Sequence, residues 1–264
     1  MRRRLALTGL AVLATLTFGA ACTTAPGTPA PATTKSATEV LSDAAAKTKG
    51  ESFTYKLTYG ALLTGDGKQD GAGQNAESNL TISEPTSGMT IKASVRSVGG
   101  DLFIKLDLGP VGASLPGFGE LKDKWMHVDK SKLGSGGLAG SLTPGGDNMT
   151  AESYVKGVVT AEKVSDTEIK GTLDLTKSAP AGLDSSDVAA LGEDAKKVPF
   201  VMTLDSEGRV TKVVISMPKV GEYPASELTT TYADYGTTVT VEKPSAAETA
   251  EAPALVYQFL GATG

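Results

Sequence analysis

The sequence predicts an α+β domain built on one antiparallel sheet of about ten strands with about three helices. Short segments in which apolar and polar residues alternate recur along the chain, among them 53–59 and 89–95, and this pattern is typical of strands with one buried face. The short connections favour antiparallel pairing, because a parallel crossover needs a dozen or more residues. Hydrophobic residues make up 40% of the 264 residues, which is sufficient for the core of one domain.

The first helix is predicted from a capping box, in which Ser36 is the N-cap and Glu39 follows three residues later. Gly50 ends that helix. Two further helices are predicted near 150–158 and 185–195 from their apolar faces. The predicted strands, in chain order, are 53–59, 79–82, 89–95, 102–106, 124–129, 161–164, 168–175, 198–204, 210–217 and 227–235.

Residues 1–21 have the form of a signal peptide. Three arginines, Arg2 to Arg4, precede an uncharged apolar run of 17 residues from Leu5 to Ala21. That run is shorter than the roughly 20 residues that a helix needs to span a bilayer, and it ends in small residues. The sequence therefore predicts export from the cytoplasm and removal of this segment.

Cys22, the only cysteine of the chain, directly follows the predicted signal peptide. This is the position at which bacterial lipoproteins carry the cysteine that becomes diacylated, and several acyl chains together anchor a protein firmly. The usual lipoprotein motif has leucine three residues before the cysteine, whereas this chain has Gly19. We expect Cys22 to be a lipid anchor on the extracytoplasmic face of the cell membrane; with an ordinary cleavage site instead, the protein would be secreted.

Composition divides the remainder into three parts. Residues 22–35 are the predicted anchor and a tether rich in Thr, Pro and Ala, which cannot form a core. Residues 36–243 are predicted to be the folded domain, and residues 244–264 are a second Pro- and Ala-rich segment.

Net charge and motif content argue against several functions. The signal peptide contains three Arg and no acid, so the mature chain has 22 basic and 30 acidic residues, a net charge of −8 that argues against nucleic-acid binding. His127 is the only histidine and has no neighbouring triad residues, and the Gly-rich stretch 134–146 lacks the Lys-Ser or Lys-Thr of a phosphate-binding loop. We therefore predict no enzymatic activity, cofactor or metal site; a hydrolase or sugar-active enzyme that uses scattered carboxylates is a weaker alternative.

Cys22 with its tether and KTKG ending at Gly50 are followed along the chain by Phe53-x-Tyr55-x-Leu57, GDLFIKLD, KWMHVD, TEIKGTLDL, VPFVMTLDSEGRVTKVVISM and YADYG. These segments resemble the LppX/LprG family of actinobacterial lipoproteins. The likeness covers most of residues 36–244 and rests on the residues of the predicted strands and on the order of the segments.

The resemblance implies a LolA-like half-barrel, in which a strongly curved sheet and the helices over its concave apolar face enclose a hydrophobic cavity. It also implies a carrier that moves lipids or acylated glycolipids across the cell envelope, with a lipid transporter as a candidate partner. Alternation of the strands gives the candidate cavity wall as Phe53, Tyr55, Leu57, Ile91, Val95, Leu102, Ile104, Leu106, Leu173, Val213 and Ile215. The alternative is an envelope scaffold or protein-interaction lipoprotein with a closed core and no ligand.

Overall fold

The computed structural model describes residues 35–84, 88–112, 114, 118–133, 150–178, 183, 185–220 and 224–260. The strands are β1 (Phe53–Tyr59), β2 (Leu63–Gln69), β3 (Ala76–Glu84), β4 (Met89–Val98), β5 (Asp101–Asp107), β6 (Trp125–Val128), β7 (Val158–Lys163), β8 (Glu168–Leu173), β9 (Val198–Leu204), β10 (Val210–Met217), β11 (Ser226–Ala233) and β12 (Thr249–Glu251). The α-helices in these ranges are α1 (Ala37–Thr48), α2 (Gly109–Gly112), α3 (Ala151–Lys156), α4 (Ser185–Ala190) and α5 (Ala254–Phe259).

The twelve strands of the described residues belong to one curved, unclosed sheet with the order β12-β6-β5-β4-β3-β2-β1-β11-β10-β9-β8-β7. Strands β1 to β6 form one antiparallel meander, here called the N-terminal meander, and β7 to β11 form the C-terminal meander. The two meanders join where β1 pairs antiparallel with β11. Strand β12 pairs parallel alongside β6 at one edge.

Helix α1 begins as the capping box predicts. The Ser36 backbone N–H donates to Glu39 Oε2 at 2.7 Å, and the Glu39 N–H donates to Ser36 Oγ at 3.3 Å, which satisfies two backbone donors that a helix start leaves open. The apolar face of α1 buries Leu41 and Ala44 against β7, β10 and α3. At its other end, Lys47 Nζ donates to the carbonyl of Glu207 in the β9–β10 hairpin. The helix is thereby fastened to the C-terminal meander.

The predicted class is confirmed at the level of an α+β protein with a large, curved and mostly antiparallel sheet, but the strand count was too low. The prediction missed β2, because Gly65, Asp66 and Gly67 read as turn residues. It also missed β12, which has three residues and lies in the Pro- and Ala-rich C-terminal segment. The three predicted helical regions are helical, but α2 and α5 were not predicted, since α2 contains a proline and two glycines within four residues.

The C-terminal segment docks on the folded domain within the part described. After β12, helix α5 and its C-cap bury Val256 and Leu260 completely, and the Tyr257 hydroxyl accepts a hydrogen bond from the Asp129 backbone N–H at 2.9 Å. These contacts join the C-terminal segment to β6 and the residues that follow it.

Candidate functional site

One face of the sheet, here called the inner face, carries the apolar residues of both meanders. Ten of the eleven candidate wall residues are buried, and Ile91 is partly buried against them. All eleven belong to or pack on the same hydrophobic cluster. The structure therefore brings the predicted residues to one face, as alternation requires, and most of them are 0 to 6% exposed.

The strand register arranges these residues in rows that cross the sheet. Tyr55 is followed by Gly67 on β2, Ser78 on β3, Val95 on β4 and Ile104 on β5. Neighbours in such a row share a face and are close enough for side-chain contact. The other wall residues lie in neighbouring rows. One row contains Phe53 and Leu102, a second contains Leu57, Leu106 and Val213, and a third contains Ile91 and Ile215. Leu173 lies farther along the sheet, on β8.

Two glycines of β2 lie beneath larger side chains. A Cβ atom on Gly67 would lie 2.5 Å from both Cζ and the hydroxyl oxygen of Tyr55, and one on Gly65 would lie 2.4 Å from a methyl of Leu80. These distances are too short for any side chain. The phenol ring of Tyr55 and the isobutyl group of Leu80 therefore lie across β2, where the missing side chains leave space for them.

A cavity of about 260 Å³ opens at the rim of the inner face, between the end of α1 and the start of α3. Lys49 Nζ lies 3.4 Å from Glu152 Oε2, and this pair links the two helices beside the cavity. Phe53, Tyr232 and Tyr235 form its aromatic side, with ring centroids 5.5 Å apart for Phe53 and Tyr232 and 5.9 Å apart for Phe53 and Tyr235. This is the candidate mouth of the apolar interior.

Tyrosine hydroxyls lie among the apolar side chains behind this mouth. Tyr154 of α3 is buried, and its hydroxyl lies 3.4 Å from Thr230 Oγ1 on β11. Burial raises the pKa of Tyr55 to about 12 and holds the pKa of Tyr232 well above its usual value, with a further increase from the nearby Tyr154, Tyr235 and Tyr55. These phenols are neutral hydrogen-bonding groups at any physiological pH.

Two other concave regions lie on or at the edge of the polar face. A groove of about 610 Å³ crosses β1, β2 and β3, where Lys68 Nζ pairs with Glu77 Oε2 at 3.5 Å. A second region, of about 640 Å³, contains His127. The histidine lies 3.5 Å from Asp101 Oδ1 and 3.4 Å from Glu251 Oε1, and it therefore bridges β5 and β12.

Sequence reasoning missed several residues that complete this interior. The register places Tyr232 beside Tyr55 and Thr230 beside Leu57, while Ser78 lies two positions before Leu80 on β3. Alternation within β11, in which Leu228, Thr230 and Tyr232 are buried, is a signal that could have found two of them. Ser78 had no such signal, since a serine in a strand is ordinarily a solvent-facing residue.

Cys22, the signal peptide and the tether up to residue 34 lie outside the described residues. Within the part of the chain that the structure describes, no helix is long and apolar enough to cross a bilayer. In the same part, no group of three or more His, Cys, Asp or Glu residues could hold a metal ion.

No protein-family model and no curated protein matches the chain.

Proposed function

We propose that the protein is a lipid-anchored extracytoplasmic lipoprotein that binds lipids or acylated glycolipids inside a LolA-like half-barrel and carries them across the cell envelope. The observation that supports this most strongly is a single curved sheet of twelve strands, whose inner face is apolar and which has a cavity at its rim. A chain with this arrangement can enclose acyl chains without any polar motif. The sequence resemblance points to the same function.

Burial of acyl chains supplies the binding energy in this proposal. Each buried methylene contributes about 0.8 kcal/mol, so a long chain binds tightly wherever it is shielded from water. The cavity of about 260 Å³ lies just below the roughly 300–1,000 Å³ of ordinary ligand pockets. Uptake of a two-chain lipid therefore requires side chains of the inner face to move aside.

Anchoring through Cys22 would hold the carrier at the membrane from which it takes its lipid. If the sequence-predicted tether adopts polyproline-like geometry, the 13 residues from Thr23 to Lys35 would reach on the order of 40 Å at about 3.1 Å per residue. That reach would allow the mouth between α1 and α3 to approach the membrane surface or to turn away from it.

A second function is favoured by the packing of the interior. Val95, Val213 and Ile215 are completely buried within one cluster, as in a closed core. An envelope scaffold of this kind would act through its surface on a protein partner and would bind no lipid.

Lipid extraction distinguishes the two functions. Residues 35–264, whose described part is one compact unit, would be produced in a lipid-rich bacterial host, extracted with organic solvent and analysed by mass spectrometry. The carrier function predicts stoichiometric acyl lipid. A lipid-free extract from folded protein, repeated after incubation with host lipids, would support the scaffold instead.

The anchor has its own test in the full chain. Cys22→Ala should abolish incorporation of an alkyne-labelled palmitate and release the protein from the membrane fraction, because Cys22 is the only thiol available for acylation. Thr23→Ala, at the next position, is the matched control and should leave both labelling and fractionation unchanged. Unchanged membrane association of Cys22→Ala would contradict the anchor.

A further inference from the structure

The row of residues that crosses the inner face at Tyr55 contains an unusual buried polar group. Ser78 is 2% exposed, and among the described residues its Oγ is the one buried side-chain polar atom without a hydrogen-bond partner. Nearly all buried hydroxyls in folded proteins have a partner, because an unsatisfied one is destabilising. Alanine would fill this position in a closed core without that penalty.

The side chain of Tyr55 lies near Ser78 but does not provide a hydrogen-bond partner for its hydroxyl. Its ring lies over Gly67, the residue between the two in the row, and a Cβ on Gly67 would lie 2.5 Å from the Tyr55 hydroxyl oxygen. A side-chain interaction with the Ser78 hydroxyl offsets part of the rise that burial causes in the pKa of Tyr55, but Ser78 Oγ has no partner at the distance and angles of a full hydrogen bond. Both hydroxyls therefore face the same region of the interior.

Further hydroxyls lie on the other side of Tyr55. Tyr232 is its register neighbour on β11, and Thr230 lies two residues away with the Tyr154 hydroxyl 3.4 Å from its Oγ1. We call these five residues the hydroxyl patch: Tyr55, Ser78, Tyr154, Thr230 and Tyr232. None of the five carries a charge at neutral pH.

The patch is continuous with the candidate mouth. Tyr232 belongs to the patch and also lines the cavity at the rim, and its ring packs edge-on against Phe53. A molecule that enters between α1 and α3 and passes Phe53 would meet the hydroxyls next.

We propose that the hydroxyl patch is a subsite for an uncharged oxygen of the lipid, either a hydroxyl or an ester carbonyl as in an acylglycerol. The Ser78 hydroxyl would donate a hydrogen bond to that oxygen. The inference rests on the proposed lipid-carrier function and specifies its ligand class. A phosphate is disfavoured there, because burying its charge requires a cation and the five residues of the patch supply none.

The test compares ligands that differ in one polar group. Three fluorescent probes would be titrated into residues 35–264: 1-dodecylpyrene, 12-(pyren-1-yl)dodecan-1-ol and methyl 12-(pyren-1-yl)dodecanoate. The unsubstituted protein should bind the alcohol and the ester about 2- to 10-fold more tightly than the hydrocarbon, which is the effect of one hydrogen bond.

Ser78→Ala should remove this preference and leave the affinity for the hydrocarbon unchanged. The same substitution should raise the melting temperature by about 2 to 4 °C, because it removes an unsatisfied buried hydroxyl. Ser97→Ala is the matched control, since Ser97 is similarly buried on the neighbouring strand β4, in the adjacent row; it should keep the preference. Tyr55→Phe provides a second variant within the patch and should weaken the preference while retaining the ring.

The outcomes separate the two proposals. If the hydrocarbon binds and Ser78→Ala keeps the full preference for the alcohol and the ester, the subsite is wrong and the carrier function stands. A protein that binds the hydrocarbon but shows no preference contradicts the subsite in the same way. If none of the three probes binds to the folded protein, the carrier function itself fails.

Discussion

The two meanders present different interiors, although both are buried. The inner face of the N-terminal meander contains many short side chains, namely Gly65, Gly67, Ala76, Ser78, Ala93 and Ser97. The inner face of the C-terminal meander contains mostly large ones, namely Val198, Phe200, Met202, Leu204, Val213, Ile215, Met217 and Leu228. Helix α1 contacts β7 and β10 of the C-terminal meander.

Under the proposed function, this difference bears on which part of the interior would accept the lipid. Large side chains that interdigitate beneath a fixed helix leave little freedom to move, since close-packed interiors resist changes in volume. In the N-terminal meander, Tyr55 and Leu80 instead lie over glycines, and rotation of either side chain would open space. We therefore expect the C-terminal meander to fix the fold and the N-terminal meander to receive the lipid.

The largest difference is expected from a matched pair of cavity-forming substitutions. Ile215 and Ile104 are both fully buried, one in each meander. Replacing a buried isoleucine by alanine costs about 2–5 kcal/mol, depending on how far the surroundings can collapse. The loss of unfolding free energy, measured with urea, should lie near the upper end of that range for Ile215→Ala and near the lower end for Ile104→Ala. Equal losses of stability would contradict the comparison.

Overpacking tests the same difference from the opposite direction. Val213→Trp should reduce the free energy of unfolding by about 1–3 kcal/mol, because Met202 is its register partner on β9. Ile104→Trp, beside Val95 on β4, should keep most of the stability but reduce the amount of lipid recovered with the protein. Val159→Trp is the surface control, since Val159 is 53% exposed. If Ile104→Trp alone fails to fold, the N-terminal meander is the closely packed part and the assignment of the lipid to it is contradicted.

A methyl group on Gly67 probes the place where Tyr55 crosses β2. Gly67→Ala would bring the new Cβ within 2.5 Å of the Tyr55 hydroxyl oxygen and of the Glu77 carbonyl oxygen. We expect a loss of about 1–3 kcal/mol in thermal unfolding, together with weaker binding of the pyrene alcohol. Gly119→Ala, at a position with nothing within 4 Å of the new Cβ, should leave both unchanged. If Gly67→Ala leaves stability and binding unchanged as well, the Tyr55 ring does not lie over Gly67.

The smallest effect concerns the β9–β10 hairpin of the C-terminal meander. Asp205 accepts hydrogen bonds from the Arg209 backbone N–H at 2.8 Å and from its Nε at 2.8 Å. Partial burial opposes ionisation, but these bonds prevail and lower the pKa of Asp205 below its usual 3.8. A lowered pKa stabilises the fold above about pH 4, and this contribution is lost as the pH falls through the folded-state value.

Asp205→Asn should therefore cost about 1 kcal/mol at pH 7, and the difference from the unsubstituted protein should shrink below about pH 4. Melting temperatures measured from about pH 7 to about pH 2 check this expectation. A constant difference across that range would show that the loss is steric and independent of charge.

Most of the fold could be predicted from local patterns in the sequence. The capping box at Ser36 and the alternation in β1 and β10 depend only on neighbouring residues, and each is present in the structure. Strand β2 could not be predicted in that way, because its glycines are explained by close contacts with the adjacent strands, namely with Tyr55 and the Glu77 carbonyl oxygen at Gly67 and with Leu80 at Gly65. Strand β12 is explained by its pairing with β6, more than a hundred residues earlier.

The candidate site was predictable only in part for the same reason. Alternation placed residues such as Val95 and Ile104 on one face, but it could not show that Ser78 would be buried beside them. That fact depends on the register of β1 to β4. Whether Cys22 carries lipid and whether the interior binds it remain predictions of the sequence.

The central claim is that lipid enters the interior against the N-terminal meander. A diacylglycerol with a photoreactive diazirine near the middle of one acyl chain would be bound to residues 35–264, irradiated, and the labelled residues identified by peptide mass spectrometry. We predict labelling concentrated on the inner face of β3 to β5, at residues such as Val95 and Ile104. Labelling confined to β9 and β10 or to the polar face would contradict the account.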